Sequence, residues 1–337
     1  MISAIQFAGG LSLFLVSLVC MSAALGRVIG PRTRAALSGA SVPAAFATGL
    51  GATALLQSST LVSVTLVGLV NAGAIGLGPG FAAVVGANIG TTVTAQIAGF
   101  RPTWLGWIAA VAGAGLLVMS LLTTQHSGER AASRAAACAF GGVASLGFAG
   151  IVSGLSVMAG ACASALDSAT LRLILAWASR DRWLAAAVGA AATAAVQSSA
   201  LITALLVALT REGLVQLPGA VALVVGSNVG TCLASLAASL PSGREARALA
   251  WANIVFNAAG AAAVLPFAEP ISELLRLTSA DPGAQLANAH VLFNIITAAA
   301  GLPFARQFVS MFIGRPRERL TNDNSASHHT RGRSRAY

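Results

Sequence analysis

The chain has 337 residues, of which 56% are apolar and 9% are charged, and its mean hydropathy is +0.80. Because a soluble domain carries charge on about a quarter of its residues, this composition excludes an ordinary soluble protein and a disordered chain. All 20 basic residues are arginines that mostly stand between apolar stretches or in the C-terminal tail, so they predict cytoplasmic loop anchors of a membrane protein and no nucleic-acid partner.

Long uncharged stretches, such as 35–100 and 213–243, exceed the roughly 20 residues that cross a bilayer. Their length and their content of alanine and leucine predict helices rather than barrel strands. In chain order, we expect helices at 5–25, 43–70, 73–99, 103–123, 135–160, 184–209, 214–240, 246–266 and 288–312. The first of these is expected to be a transmembrane helix and not a cleaved signal.

The sequence repeats itself at an offset of 140 residues. When 45–92 is compared with 185–232, 22 of the 48 positions are identical without a gap, where this composition would give about five by chance. Paired copies of a membrane unit are frequent in secondary transporters, whose substrates bind where the two copies meet.

Two polar motifs recur in both copies, in the middle of apolar segments. Gln57-Ser58-Ser59 returns as Gln197-Ser198-Ser199, and a Gly-x-Asn-x-Gly-Thr motif occupies 86–91 and again 226–231. Single serines in membrane helices commonly hold neighbouring helices together. Because that role does not require the same polar set in the same order twice, a binding site explains the motifs better.

The residue types suit a cation together with an anion. Amide, hydroxyl and carbonyl oxygens can replace the hydration shell of a small cation, and the glycines of the second motif are expected to let the helix unwind and free its carbonyls. A half-helix that begins at such a break presents free amide hydrogens to an anion.

The cores of the paired apolar segments contain no carboxylate, so a proton relay has no candidate there and sodium coupling is favoured. We expect His290 to be a packing or interface residue rather than a proton carrier. Since the serines have no His/Asp partners in sequence reach and no Walker motif is present, we expect neither an enzyme nor an ATP-driven pump.

The doubled motifs resemble those of the sodium/phosphate cotransporter family, the type II sort and its bacterial relatives, over roughly residues 8–266. Similar features are the opening glycine-leucine-phenylalanine helix at 10–21 and the element from Arg247 to Asn257. The resemblance implies an all-α polytopic membrane protein of two inverted repeats, each with a re-entrant helical hairpin tipped by Gln-Ser-Ser and a broken transmembrane helix. It also implies coupled movement of inorganic phosphate and Na+. We expect alternating access in the lipid bilayer of the cytoplasmic membrane, with Na+ as coupling ion and no organic cofactor.

The same resemblance assigns the site residues. The substrate-binding set is Gln57, Ser58, Ser59, Thr60, Thr91, Gln197, Ser198, Ser199 and Thr231. The sodium-binding set is Gln57, Ser59, Asn88, Thr91, Gln197, Ser199, Asn228 and Thr231. Where the family has a third serine, this chain has Thr60 and Ala200, and the alanine removes an oxygen from the second copy.

The repeat divides the chain into a first unit at 1–125, a second unit at 126–266, a loop with a C-terminal transmembrane helix at 267–312, and a basic tail at 313–337. The tail is expected to be disordered and cytoplasmic, and it does not resemble the PhoU-like domain that many bacterial members carry. If both Gln-Ser-Ser segments are re-entrant, most arginine-rich loops fall on one side, which places the N-terminus outside. Two alternatives remain open, namely a sodium-coupled carrier of another oxyanion or small carboxylate, and a membrane scaffold that transports nothing.

Overall fold

A computed structural model describes residues 2–100, 103–125, 128–164 and 181–312. All regular secondary structure in these ranges is helical. The α-helices are α1 (Ile2–Leu37), α2 (Val42–Leu56), α3 (Ser59–Asn71), α4 (Leu77–Gly90), α5 (Thr92–Phe100), α6 (Thr103–Thr123), α7 (Glu129–Ser164), α8 (Arg182–Val196), α9 (Ser199–Arg211), α10 (Leu217–Ser239), α11 (Arg244–Val264), α12 (Ala268–Leu275), α13 (Pro282–Gly301) and α14 (Ala305–Ser310). The predicted tail lies outside the described residues.

Seven helical stretches in the described part of the chain are long and apolar enough to cross a membrane. They lie within α1, α4–α5, α6, α7, α10, α11–α12 and α13–α14, and they correspond to the seven segments that the sequence predicts to cross. The four remaining apolar helices, α2, α3, α8 and α9, have only 13 or 15 residues. The expected all-α polytopic membrane protein is therefore confirmed, with two pairs of helices too short to span the bilayer.

Each short pair forms a helical hairpin, α2–α3 in the first repeat and α8–α9 in the second. The end of α3 is fastened by Asn71, whose side-chain oxygen accepts a hydrogen bond from the Gly243 amide at 2.7 Å. The end of α9 is fastened by Arg211, which pairs with Asp281 at 2.7 Å and donates to the Gly99 carbonyl. Because α4–α5 begins beside Asn71 and ends beside Arg211, the open ends of the two hairpins lie at opposite ends of that segment.

Glycines of the second motif let α4 pack tightly against α2, and α10 against α8. A Cβ atom on Gly86 would lie 2.1 Å from the Phe46 carbonyl oxygen, and one on Gly226 would lie 1.9 Å from that of Ala186. Glycine is needed at these positions because only a residue without a side chain lets the backbones of α4 and α2, and of α10 and α8, approach so closely.

This packing corrects the expectation of two broken transmembrane helices. In the first repeat α4 and α5 are divided only at Thr91, where the backbone stays helical and the Thr91 amide donates to the Ala87 carbonyl at 3.1 Å, and α10 runs without a break through Gly226 and Gly230. The prediction of an unwound break is wrong for both repeats, because their glycines serve close helix contact instead of unwinding.

A second internal repeat, missed by the sequence analysis, relates α11 to α13. Residues 248–268 and 285–305 share 12 of 21 positions, including Asn257 with Asn294, and both helices end in a Leu-Pro-Phe turn of 3-10 helix. α11 packs on α3 and α10, while α13 packs on α9 and α5. These helices therefore extend the internal duplication beyond the 140-residue repeat, since each packs against one hairpin.

Candidate functional site

The tips of the hairpins have nearly identical backbones. Gln57 ends α2 with φ 54° and ψ 27°, and Gln197 ends α8 with φ 58° and ψ 23°. They are the two non-glycine residues with positive φ in the described part of the chain. A left-handed conformation costs a side-chain-bearing residue about 1 kcal/mol, so a glutamine here indicates a use for its amide group.

The residue after each glutamine caps the next half-helix. Ser58 and Ser198 are extended, and their hydroxyl oxygens accept hydrogen bonds from the amides of Leu61 at 3.3 Å and Leu201 at 3.2 Å. The first backbone amides of an α-helix have no carbonyl within the helix to which they can donate. In α3 these are the amides of Ser59 and Thr60, and α9 has the equivalent pair.

The glutamine side chains close the preceding half-helices. Each Nε2 donates to the carbonyl three residues earlier, that of Ala54 or Ala194. The Gln57 Oε1 also accepts a hydrogen bond from Thr94 of α5, and this side chain is buried. Gln197 is exposed and its Oε1 has no hydrogen bond from the described residues.

Both tips line one cavity of about 520 Å³. The Thr60 hydroxyl of the first tip donates to the Gln197 carbonyl of the second at 3.5 Å, so the tips face each other directly. One face of α1 forms a wall, and its Ser22 hydroxyl donates to the Leu56 carbonyl at 2.6 Å. The cavity is lined by Leu15, Leu18, Val19, Ser22, Ala23, Gly26, Gln57, Ser58, Ser59, Thr60, Leu61, Thr91, Val196, Gln197, Ser198, Ser199 and Ala200.

None of these lining residues is charged. The helix ends at the cavity carry partial charges of both signs. The N-terminal ends of α3 and α9 carry partial positive charge, and the C-terminal ends of α2 and α8 carry partial negative charge. Each tip therefore presents an anion-binding end and a cation-binding end side by side. A bound anion would find no arginine among the lining residues to neutralise it.

Eight of the nine predicted substrate residues line the cavity, and the ninth, Thr231, does not. The Thr231 hydroxyl donates within α10, to the Ser227 carbonyl at 2.9 Å. The predicted sodium ligands Asn88 and Asn228 also lie outside the lining. Their role as ligands stays a prediction.

Asn88 and Asn228 instead make polar contacts between helices, one between α4 and α11 and the other between α10 and α13. The Asn88 amide donates to the Asn257 oxygen at 3.4 Å, and the Asn228 oxygen lies 3.1 Å from Nε2 of His290. His290 is 1% exposed. The histidine is thus packed between helices, as the sequence predicts.

Ser22 and Thr94 are the polar contacts of this site that sequence reasoning missed. Thr94 lies one helical turn beyond Thr91 and would share its face. Ser22 is one of several small polar residues in α1, and the 140-residue repeat gives it no partner in the doubled motifs. Thr94 was detectable by helical spacing, whereas Ser22 was not.

Comparison with known proteins gives one family and several relatives. The sequence model of the Na+/Pi-cotransporter family matches residues 13–160 and 151–276. An uncharacterized protein of Bacillus subtilis is 29% identical over 69% of this chain and 72% of its own length. Proteins named putative inorganic phosphate export protein, from Salmonella typhimurium and Escherichia coli, are 28% and 27% identical over 74% of this chain but only 44% of their own length. No solved structure gives a significant match.

Proposed function

Because the chain belongs to the Na+/Pi-cotransporter family, we propose that it moves inorganic phosphate across the membrane together with Na+, and that both bind in the cavity between the hairpin tips. The observation that carries the proposal is the direct meeting of the two tips, where Thr60 contacts Gln197 across one uncharged cavity. The relatives named for phosphate export support phosphate as the cargo.

Phosphate is proposed to bind at the starts of α3 and α9. The free first-turn amides there point toward the cavity end of each helix, and the neighbouring hydroxyls of Ser59 and Ser199 are buried beside them. Phosphate oxygens accept hydrogen bonds from such amides and hydroxyls, and the helix dipoles favour their negative charge.

Sodium is proposed to bind at the glutamine end of each tip. Amide and carbonyl oxygens are the hard ligands that Na+ prefers, and the unpartnered Oε1 of Gln197 supplies one of them. Because no lining residue carries positive charge, bound cations supply the counter-charge that phosphate needs inside the membrane.

The membrane potential also favours more than one cation. Moving one negative charge inward against about 100 mV costs about 2.3 kcal/mol. Near neutral pH phosphate is partly a dianion, so two Na+ make the loaded carrier neutral and a third lets the potential assist uptake. The sodium gradient then sets the direction, and a reversed gradient drives export.

We propose that the two hairpins are inverted relative to each other and that this arrangement supports alternating access. Their open ends lie at opposite ends of α4–α5 while their tips meet at one cavity. Movement of one hairpin and its supporting helix, α11 or α13, would open the cavity toward one side at a time.

The test is uptake of radiolabelled phosphate into proteoliposomes with an inward sodium gradient, with a matched potassium gradient as control. We expect accumulation that requires sodium and that reverses when the gradient is reversed. No flux under either gradient would favour the scaffold alternative. Equal competition by sulfate or small carboxylates would favour the carrier of another anion.

A further inference from the structure

A second cavity lies at the start of α11, and its lining shares no residue with the cavity between the tips. Its volume is about 300 Å³, and it is lined by Arg244, Arg247, Ala248, Trp251 and Phe312. The doubled motifs and the transport proposal give these residues no role.

The cavity has a regular helical origin. Arg244, Arg247 and Trp251 recur at three- and four-residue spacing, so they share one face of α11. Ala248 is buried and forms the floor between them. Phe312 is the opposite wall and is held in place by Phe308, whose ring centre lies 5.5 Å away in an edge-to-face arrangement.

The two guanidinium groups are available to a ligand. Both arginines are exposed, and no carboxylate of the described residues, including the adjacent Glu245, forms an ion pair with either. Guanidinium groups bind phosphate oxygens through two parallel hydrogen bonds, which makes a pair of arginines a good phosphate receptor.

Beyond the two arginines, the same face of α11 is apolar. Trp251 is 49% exposed and Val255, one turn further along α11, is 39% exposed. This stretch belongs to the candidate membrane span Arg244–Leu275. Arginines followed by an exposed tryptophan and then by exposed aliphatic carbon match the order of headgroup, interface and acyl chain in a bilayer.

We propose that this cavity is a binding site for an anionic phospholipid, with the phosphodiester on Arg244 and Arg247 and an acyl chain along Trp251 and Val255. Free phosphate shares the headgroup chemistry but has no use for the apolar continuation of the site. The lipid is therefore the better fit.

The test is native mass spectrometry of the purified full chain titrated with phosphatidylglycerol or phosphatidylcholine. The double variant Arg244→Gln/Arg247→Gln should lose about thirtyfold in affinity for phosphatidylglycerol, since each arginine near an anionic surface contributes about a factor of five. The control is Arg130→Gln/Arg134→Gln, which removes the same charge from an exposed turn at the start of α7 and should bind as the wild type does.

Four results would overturn the proposal: unchanged lipid retention in the Arg244/Arg247 variant, an equal loss in the control, equal retention of phosphatidylcholine by the wild type, or displacement of the lipid by millimolar inorganic phosphate. The last result would assign the cavity to free phosphate.

A second measurement leaves Arg244 and Arg247 unchanged, so it tests the site even if the double glutamine variant does not fold. Phosphatidylglycerol brominated on its acyl chains should quench tryptophan fluorescence of the wild type more than that of Trp251→Phe, and brominated phosphatidylcholine should show a smaller difference. Equal quenching of the two proteins by the brominated anionic lipid would contradict the site.

Discussion

The two hairpin tips share a backbone but differ in their polar contacts. In the first tip Gln57 is buried and its side-chain oxygen accepts a hydrogen bond from Thr94. In the second tip Gln197 is exposed, and its side-chain oxygen has no partner among the residues that the structure describes. The position that corresponds to Thr94 in the second repeat is Ala234. The side-chain oxygen of Gln57 is thus occupied by a contact within the protein, whereas that of Gln197 is free to bind a ligand.

A second difference leaves the first tip, and not the second, with an unpaired polar group. Behind the second tip, the hydroxyls of Thr193 and Ser227 are 2.7 Å apart. The corresponding Thr53 hydroxyl is buried and has no hydrogen-bond partner among the described residues, because Ala87 replaces the serine. Duplication thus preserved the fold of the tips while their side-chain chemistry diverged. Equivalent substitutions in the two repeats should therefore have unequal effects on transport, and equal effects only where backbone packing is concerned.

The largest effect on stability is expected from the glycines that both repeats share at the contact between the hairpin and the following helix. Gly226→Ala places a Cβ 1.9 Å from the Ala186 carbonyl oxygen and forces α10 away from α8, which should cost about 3 kcal/mol or more. We expect little monodisperse protein in size-exclusion chromatography, and the same for Gly86→Ala.

The control for these variants is Gly115→Ala in α6, where a Cβ would meet no atom within 4 Å and should be tolerated. If Gly226→Ala were as stable as this control but inactive, the glycine would serve a backbone movement and not close packing.

Next in size is the effect of Gln197→Ala on transport. This change removes the free amide oxygen, and losing one ligand of a desolvated ion costs about 2–3 kcal/mol, or roughly a hundredfold. Initial rates of sodium-dependent phosphate uptake measure it. Gln216→Ala is the matched control, since Gln216 is exposed in the same repeat and makes no cap hydrogen bond. Uptake by Gln197→Ala at the rate of this control would remove Gln197 from the site.

The duplication predicts that the two copies meet, and the resemblance of the doubled motifs to a known family predicts the hairpins. The apolar segments by themselves predict one helix at 43–70 and one at 184–209, and this prediction is wrong because the structure divides each segment into two helices at its glutamine. Gln57 and Gln197 were expected at the tips, and they are there. The use of Gly226 could not be predicted, because glycine permits both helix unwinding and close helix contact, and only the position of α8 decides between them. The contact of Ser22 with the first tip could not be predicted either, since it joins residues 34 positions apart on helices without a shared motif.

The repeat of α11 and α13 was detectable but was missed. Its offset of 37 residues is short, and its alanine-rich identities resemble background composition. The Phe-Asn pair at Phe256 and Asn257, and the two Leu-Pro-Phe turns, are the specific part of the signal. Repeats of a single helix are harder to recognise than those of a hairpin with a polar tip.

A smaller effect is expected from exchanging the partners of the two glutamines. Thr94→Val keeps the shape of the side chain but removes the hydrogen bond to Gln57, worth about 1 kcal/mol, so uptake should fall about fivefold and the melting temperature should drop. Ala234→Thr offers the second tip an equivalent hydroxyl and should slow uptake by engaging Gln197. Unchanged rates in both variants would mean that the asymmetry of the tips has no part in transport.

The smallest effect is expected from restoring the missing hydroxyl of the second tip. Ala200 lines the cavity at the position of Thr60, whose hydroxyl already reaches the opposite tip. Ala200→Ser adds one oxygen without adding much volume, so the apparent affinity for sodium or phosphate should rise about threefold, as expected for a hydrogen bond of somewhat under 1 kcal/mol. Half-saturating concentrations for uptake measure this change, and Ala200→Val, which adds volume but no oxygen, is the control. If serine and valine had the same effect, the family's third serine would matter by its size. A gain with serine alone would show that the second tip of this chain lacks a ligand that the first tip has.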